Sequence, residues 1–292
     1  MSEVRTSQVG ILAGTGIQEL AGLEGATPHS IETPFGPPSG PVWVGQLEGR
    51  NVAFLARHGA GHRLLPSEVN YRANIYALKL LGVERILSAS AVGSMRDEIH
   101  PQDVVVPDQF LDRTRHRQDT FFGDGLVAHV GFADPVCGVA RRVLLLAARE
   151  EQVRCHDGGT YLCMEGPQFS TRAESLLYRG WGVSVIGMTN LTEAKLAREA
   201  EICYATLALV TDYDCWHAEE ASVSVEGVVE NLRRNAAAAA RILRRAVREL
   251  PAGRECACGE ALRNAILTDP AVVPESTRRR LEALLRGHLP AS

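Results

Sequence analysis

The sequence predicts an α/β fold: one domain with a central mixed β-sheet flanked by helices. Three observations carry that expectation. Short apolar runs end on glycine or polar residues. Amphipathic helical stretches separate several of those runs. No interdomain linker, internal repeat or low-complexity tract interrupts the 292 residues. Strands that alternate with helices in this way form parallel or mixed sheets with helices packed on them.

Residues 9–13 form the first apolar run, which breaks into Gly14-Thr15-Gly16. Residues 52–56, 85–90, 103–106, 183–188 and 205–210 read as further buried strands, because each is short, apolar and closed by a turn signal. Helical spacing predicts a helix over 68–81 with Ser67 as its N-cap, and others over 135–151 and 191–200. A long helix is predicted over 225–250, capped by Ser224 and stopped by Pro251.

Composition narrows the class. Hydrophobic residues at 45% supply ample surface to bury, which excludes intrinsic disorder as the main state. Thirty-one Lys and Arg against 35 Asp and Glu give a net charge of −4, without the basic excess of a general nucleic-acid binder. No apolar run approaches the roughly 18 residues of a membrane helix, and the polar start does not read as a secretory leader. A cytoplasmic protein is therefore expected, with neither nucleic acid nor membrane as a partner. Seven cysteines form no secreted disulfide framework. Cys256 and Cys258 make a C-x-C without the C-x2-C pairs usual for zinc, so the cysteines read as plain thiols and no metal site is expected.

In open α/β sheets, ligands bind beyond the carboxyl ends of the strands. Thr15, Arg57, His58, Ser90, Thr189 and Asp212 all follow apolar runs and so could converge. Gly14-Thr15-Gly16 offers backbone N–H groups and a hydroxyl to an anion, or is a tight turn. Arg57 and His58 offer donors to phosphate oxygens, or form a structural salt bridge beside a packed ring. Asp212-Tyr213-Asp214, if it continues its strand, puts two carboxylates on one side. A protonated acid beside an ionised one would match adenine, whose N7 accepts and whose N6 amino group donates. A solvated acidic turn or a metal site is the alternative. Phe169 could stack on a base or belong to the core, and the same choice holds for Val225, Val228 and Val229 on the long helix.

Taken together, these features resemble the trimeric purine nucleoside phosphorylase superfamily, and within it the 5′-methylthioadenosine phosphorylase branch. The resemblance runs from about Val9 to about Leu250. Collinear segments carry it: ILAGTGI, TPFGPPS, LARHGAGH, VNYRANIYALK, SAVGSM, DVVVPDQFLDRT, EGPQFSTRAES, GMTNLTEAKLAREAEICYA and TDYDCW. It implies a nucleoside phosphorylase-like catalytic domain over 1–250, with a C-terminal helical extension over 251–292 packing on the same domain.

The resemblance also implies roles. Thr15, Arg57, His58, Ser90, Ala91 and Thr189 would bind phosphate, with Ala91 acting through its backbone and His58 adding a donor. Asp212 and Asp214 would read the N7/N6 edge of adenine, and with His58 form the catalytic set. Phe169 and Ser170 would border the base, and Met188 would pack on the ribose and reach its hydroxyls through the backbone. Val225, Val228 and Val229 would line the pocket for the 5′ substituent, and His129 would reach a neighbouring subunit's ligand. The implied reaction is phosphorolysis of 5′-methylthioadenosine, or a related 5′-substituted adenosine, to adenine and the 5-substituted ribose 1-phosphate. It needs no cofactor, with inorganic phosphate as co-substrate, and the assembly would be a homotrimer. Ser90 stands where the family often has Thr, Val92 where it has Cys, Gly187 where some members have Asn, and Val229 where Leu is frequent. A 6-oxopurine or methylthioinosine phosphorylase remains an alternative, as does an enzyme for 5′-halogenated or 5′-deoxyadenosine.

Overall fold

The computed structural model describes residues 7–14, 22–217 and 225–289, without the side chains of 225–228 and 232. Strand β1 (Val9–Ala13) is buried along its whole length. Val9, Ile11 and Ala13 join the apolar cluster on one face of the sheet, and Leu12 the cluster on the other. Burial on both faces is why this segment reads as a continuous apolar run rather than an alternating one.

In chain order there follow β2 (Glu24–His29), β3 (Val42–Leu47), β4 (Arg50–Ala56), α1 (Tyr71–Leu80), β5 (Arg85–Ser94), β6 (Val104–Val106), β7 (Gln109–Arg113), α2 (Gly138–Glu150), β8 (Cys155–Asp157) and β9 (Thr160–Met164). Then come α3 (Arg172–Gly180), β10 (Val185–Gly187), α4 (Asn190–Glu199), β11 (Cys203–Asp212), α5 (Val225–Glu249), α6 (Glu275–Arg280) and α7 (Glu282–Leu285). The strands form one mixed sheet in the order β2-β3-β4-β1-β5-β10-β9-β7, with β11, β6 and β8 branching from β5. Helices α2 and α5 cover one face, and α1 and α4 cover the other.

The topology opens a gap beside β5. Its residues 85–89 pair in parallel with β1 on one edge, and on the other edge β11 follows β5 as far as Gly93. Gly93 is in register with both Asp212 of β11 and Ile186 of β10, so β10 takes over the edge that β1 leaves at Ala89. Ser90, Ala91 and Val92 are left with no partner strand on that edge among the described residues. Gly93 has to be glycine here: a Cβ would lie 2.9 Å from Asp212 Oδ1 and 3.2 Å from an Ile186 methyl.

Several expectations are corrected. Helix α1 starts at Tyr71 rather than near 68, and Asn70 rather than Ser67 caps it, its side chain accepting from the Ala73 amide at 3.1 Å. The strand expected over 85–90 continues to Ser94, because residues 91–94 still find partners on β11 and β10. The N-cap expected at Ser224 lies outside the described residues. Strands β2, β3, β7, β8 and β9 and helix α3 were not anticipated. The C-terminal segment adds short 3-10 turns and α6 and α7 to the α1 face, where Leu262, Leu281 and Leu284 pack in the same cluster as Ile75 and Leu78. The cysteines are not scattered in space: Cys137, Cys203, Cys256 and Cys258 bring their sulfurs within 4.8 Å of one another.

Among the described residues no helix is long and apolar enough to cross a membrane.

Candidate active site

The gap beside Ser90–Val92 is a cavity of about 340 Å³. Its wall gathers Arg57, His58, Ser90, Ala91, Phe169, Met188, Thr189, Asp212 and Asp214, each expected from sequence to share one site. Thr15 and the side chains of Val225 and Val228 lie outside the described residues. Ser170, Val229 and His129 are not on the wall. The Ser170 carbonyl accepts from the Cys215 thiol at 3.3 Å. Val229 is 40% exposed on α5. His129 lines a separate cleft with Phe122, Lys195 and Glu199, and its amide donates to the Ala265 carbonyl at 2.8 Å.

Arg57 follows β4 and is buried, and most of its donors are already engaged. Nε and Nη2 pair with the Glu193 carboxylate, Nη2 also reaches Ser88 Oγ and the Leu12 carbonyl, and Nη1 donates to the Ala89 carbonyl at 3.0 Å. A guanidinium has five N–H donors, so one Nη1 hydrogen remains uncommitted to these acceptors. Burial opposes the charge, but Glu193 more than offsets it and raises the guanidinium pKa above its ordinary value. The salt bridge and the phosphate-binding reading of Arg57 are thus compatible: Glu193 fixes the fork of a residue on the cavity wall, and one N–H is left over.

Helix α4 positions three further groups at that end. Thr189 is its N-cap residue, and its side chain makes no capping hydrogen bond. Its hydroxyl is therefore free of that duty, at a helix N-terminus where amides and dipole favour an anion. Asn190 donates to Ser88 Oγ, Tyr204 OH and Thr206 Oγ1 at 2.7–3.0 Å, and accepts from Ser90 Oγ at 2.5 Å. Glu193, one turn on, accepts from Ser88 and Tyr204. This buried network orients Arg57 and Ser90, and sequence reasoning missed both of its organisers. Their i, i+3 spacing on α4 does not mark these hydrogen bonds, which run to residues on β5 and β11.

His58 differs from expectation. Its Nδ1 lies 2.8 Å from the Leu64 carbonyl and so carries the proton, which leaves Nε2 as an acceptor in the neutral ring. Burial, and then the Arg57 charge, push its pKa down to about 4. His58 is therefore neutral near pH 7 and presents a lone pair, not a donor. Between about pH 4 and 6.5 the unfolded ring takes a proton that the folded ring refuses. Stability is full above that window and is lost as pH falls through it. Wild type should lose about 2 kcal/mol more than His58→Gln between about pH 7 and pH 4.5 in chemical denaturation. Equal losses would refute the buried neutral ring.

The two aspartates come together, but not as strand neighbours. β11 ends at Asp212, and Asp214 turns into the left-handed region at φ 54°. The turn places the Asp214 amide 2.8 Å from Asp212 Oδ1. Thr211 Oγ1 lies 2.6 Å from Asp212 Oδ2 and 3.2 Å from the Val92 carbonyl. Thr211 is the donor, its one hydroxyl proton directed to the Asp212 carboxyl with the Val92 carbonyl as the more distant acceptor, so this bond opposes protonation of Asp212. Burial raises the pKa of both carboxyls, and for Asp212 the charge of Asp214 raises it further. Asp214 Oδ2 is buried without a hydrogen-bond partner.

Met188 lies on the wall between β10 and α4, and its carbonyl already accepts from Arg117 Nη1 at 2.9 Å. Its amide is the backbone group left for a ligand. Arg117 was not singled out from sequence, nor were His62, Leu64 and Thr211, which also lie on the wall. They lie in loops or at strand ends whose sequence carries no separate signature.

Known proteins match this chain over nearly its full length. The family model of the phosphorylase superfamily covers residues 8–248. The S-methyl-5′-thioadenosine phosphorylase of Geobacter sulfurreducens is 55% identical over 282 residues, spanning 96% of this chain and 99% of that protein. The protein of the same name from Koribacter versatilis is 55% identical over 279 residues, 96% of each chain. Among solved structures, a methylthioadenosine phosphorylase from an antarctic soil metagenomic library superposes with a TM-score of 0.91 at 49% identity, covering 96% of this chain and 99% of that one. The Schistosoma mansoni enzyme in complex with adenine gives 0.83 at 36% identity, covering 91% and 97%. With its forked mixed sheet and a cavity at the strand ends, the chain belongs to the phosphorylase superfamily.

Proposed function

We propose that this protein splits 5′-methylthioadenosine, or a closely related 5′-deoxy-5′-substituted adenosine, with inorganic phosphate. The products are adenine and the 5-substituted ribose 1-phosphate. The observation that carries this reading is the two-ended chemistry of one cavity: an anion-binding floor at Arg57 and the α4 N-terminus, and a pair of buried carboxyls at the end of β11. The 55% identity to S-methyl-5′-thioadenosine phosphorylases over 96% of the chain supports it.

In this reading, phosphate rests against the free Nη1 hydrogen of Arg57, the hydroxyls of Thr15, Ser90 and Thr189, and the Ala91 amide. His58 Nε2 accepts from a protonated phosphate oxygen. The C1′–N9 bond breaks with its electron pair passing to the purine, and a phosphate oxygen then bonds C1′ from the opposite face. The developing cation at C1′ is stabilised by the held anion, so preorganised charge and positioning do most of the work. Asp212 gives its proton to N7, which neutralises the leaving base, and Asp214 accepts from the N6 amino group. A 6-oxopurine would present an acceptor to that acceptor, a mismatch that discriminates strongly.

Phe169 borders the base with Ser170 next to it in the chain, off the wall, and Met188 covers the ribose. Val225, Val228 and Val229 of α5 are assigned to the 5′ group. No cofactor takes part. His129 serves a neighbouring subunit's site in a homotrimer. Val127 and Leu267, joined beside it by a backbone hydrogen bond, expose 47% and 67% of their apolar side chains, which supports a subunit contact there. The enzyme works in the cytoplasm.

Rates on methylthioadenosine, adenosine, methylthioinosine and a 5′-halogenated adenosine test the substrate assignment. The reading expects methylthioadenosine to give the highest kcat/KM and methylthioinosine the lowest. Preference for methylthioinosine would overturn the base assignment, and preference for another 5′ group would overturn the 5′ assignment alone.

A further inference from the structure

Three distant parts of the chain bring four free cysteines together at the end of the sheet away from the cavity. Cys137 is the N-cap residue of α2, Cys203 is the first residue of β11, and Cys256 and Cys258 come from the C-terminal extension. We propose that these four sulfurs form a structural zinc site that fastens the extension to the body of the domain.

The spacing fits a metal. All four sulfurs lie within 4.8 Å of one another, with Cys203 to Cys256 at 3.3 Å and Cys137 to Cys256 at 3.7 Å. A tetrahedron with Zn–S bonds of about 2.3 Å has sulfur–sulfur edges of about 3.8 Å. A set of four soft thiolates in that arrangement selects zinc or iron among common metals, and four ligands with no open position make a structural site rather than a catalytic one.

The surroundings fit the charge. Zinc with four thiolates carries a net −2, which a half-buried site must offset. Arg85 is buried, is in register with Cys203 in the adjacent strand, and donates through Nη2 to the Gly253 carbonyl. Its Nη1 is buried without a hydrogen-bond partner, though it lies 3.6 Å from Glu84. Arg254 donates to the Glu201 carbonyl at 2.7 Å, which holds the segment before Cys256 against the turn before β11. Cys137 adds the positive end of a helix dipole, which favours a thiolate there. The loop is thus held in place by two arginines at this end of the sheet, which share the single carboxylate of Glu84 and so leave a net positive charge there.

The site is remote from the chemistry. Cys203 and Asp212 are the first and last residues of the ten-residue strand β11, about 30 Å apart at the usual strand rise. Its role is to anchor residues 251–289, which pack on α1.

The test uses the full chain, expressed with zinc supplementation and purified under reductant without chelator. Elemental analysis should find about one zinc per chain, released in step with mercurial titration of four thiols. Cobalt reconstitution should give the intense visible bands and the near-ultraviolet charge transfer of tetrahedral thiolate ligation. Cys256→Ser with Cys258→Ser should cut bound zinc at least tenfold and lower the melting temperature, with kcat/KM unchanged. Should that variant fail to fold, the zinc content and the cobalt spectrum of the wild-type chain still decide. Wild-type protein with all four thiols free and no metal would overturn the proposal. So would a metal-free chain whose intact mass shows disulfides among these cysteines, and so would iron in place of zinc.

Discussion

Asp212→Asn is expected to lower kcat/KM for methylthioadenosine by about 10²–10⁴-fold, the usual loss when a general acid is removed. The asparagine amide keeps the shape and still donates a hydrogen bond, but it cannot transfer a proton to N7. The departing adenine would then carry its negative charge. The same amide can donate to a 6-oxo group, so the ratio of methylthioinosine to methylthioadenosine activity should rise. Burial is the chief cause that raises the pKa of Asp212 and of Asp214 above the ordinary carboxyl value, the direction that favours the protonated acid this role needs. Initial rates with both nucleosides check this. A variant with unchanged base preference would remove Asp212 from the leaving-group role.

Glu193→Gln is expected to destabilise the protein by about 3–5 kcal/mol, the size seen when a buried ion pair loses one partner. Arg57 and Glu193 are each only 1% exposed, so water cannot replace the missing charge. The glutamine amide would also turn a donor toward Arg57, Ser88 or Tyr204, all of which now donate to the carboxylate. Because the network orients Arg57, the KM for phosphate should rise more than the KM for the nucleoside. Chemical denaturation and phosphate titration check both parts. Loss of stability with an unchanged phosphate KM would make Glu193 a fold residue only, and no loss of stability would contradict the buried-pair account.

Much of the fold was legible because burial on both faces makes the central strands continuous apolar runs. β1, β4, β5 and β11 were visible for that reason. β2 was not: its sequence EGATPH is polar and largely exposed at the sheet edge, so periodicity has nothing to register. Strand β7 is exposed in the same way. In α3 only Ser175 and Tyr178 are buried, too few to mark a helical stripe, although the Thr171/Glu174 capping box was available in the sequence.

The candidate site was legible at strand ends and hidden elsewhere. Arg57, Ser90, Thr189 and Asp212 each follow an apolar run, and the sheet brings them together. Glu193 and Asn190 act from beneath the wall, and their importance lies in hydrogen bonds that no spacing rule predicts. The tautomer of His58 depends on the Leu64 carbonyl, a loop contact. The cysteine cluster joins residues 119 and 53 positions apart, which makes it invisible to any motif read along the chain.

Adenine release from methylthioadenosine, with and without inorganic phosphate, tests the central claim most directly. Release that requires phosphate and yields one 5-methylthioribose 1-phosphate for each adenine is the predicted result. Release at the same rate without phosphate, yielding free methylthioribose, would contradict the claim that the floor built by Arg57, Ser90 and Thr189 holds the nucleophile.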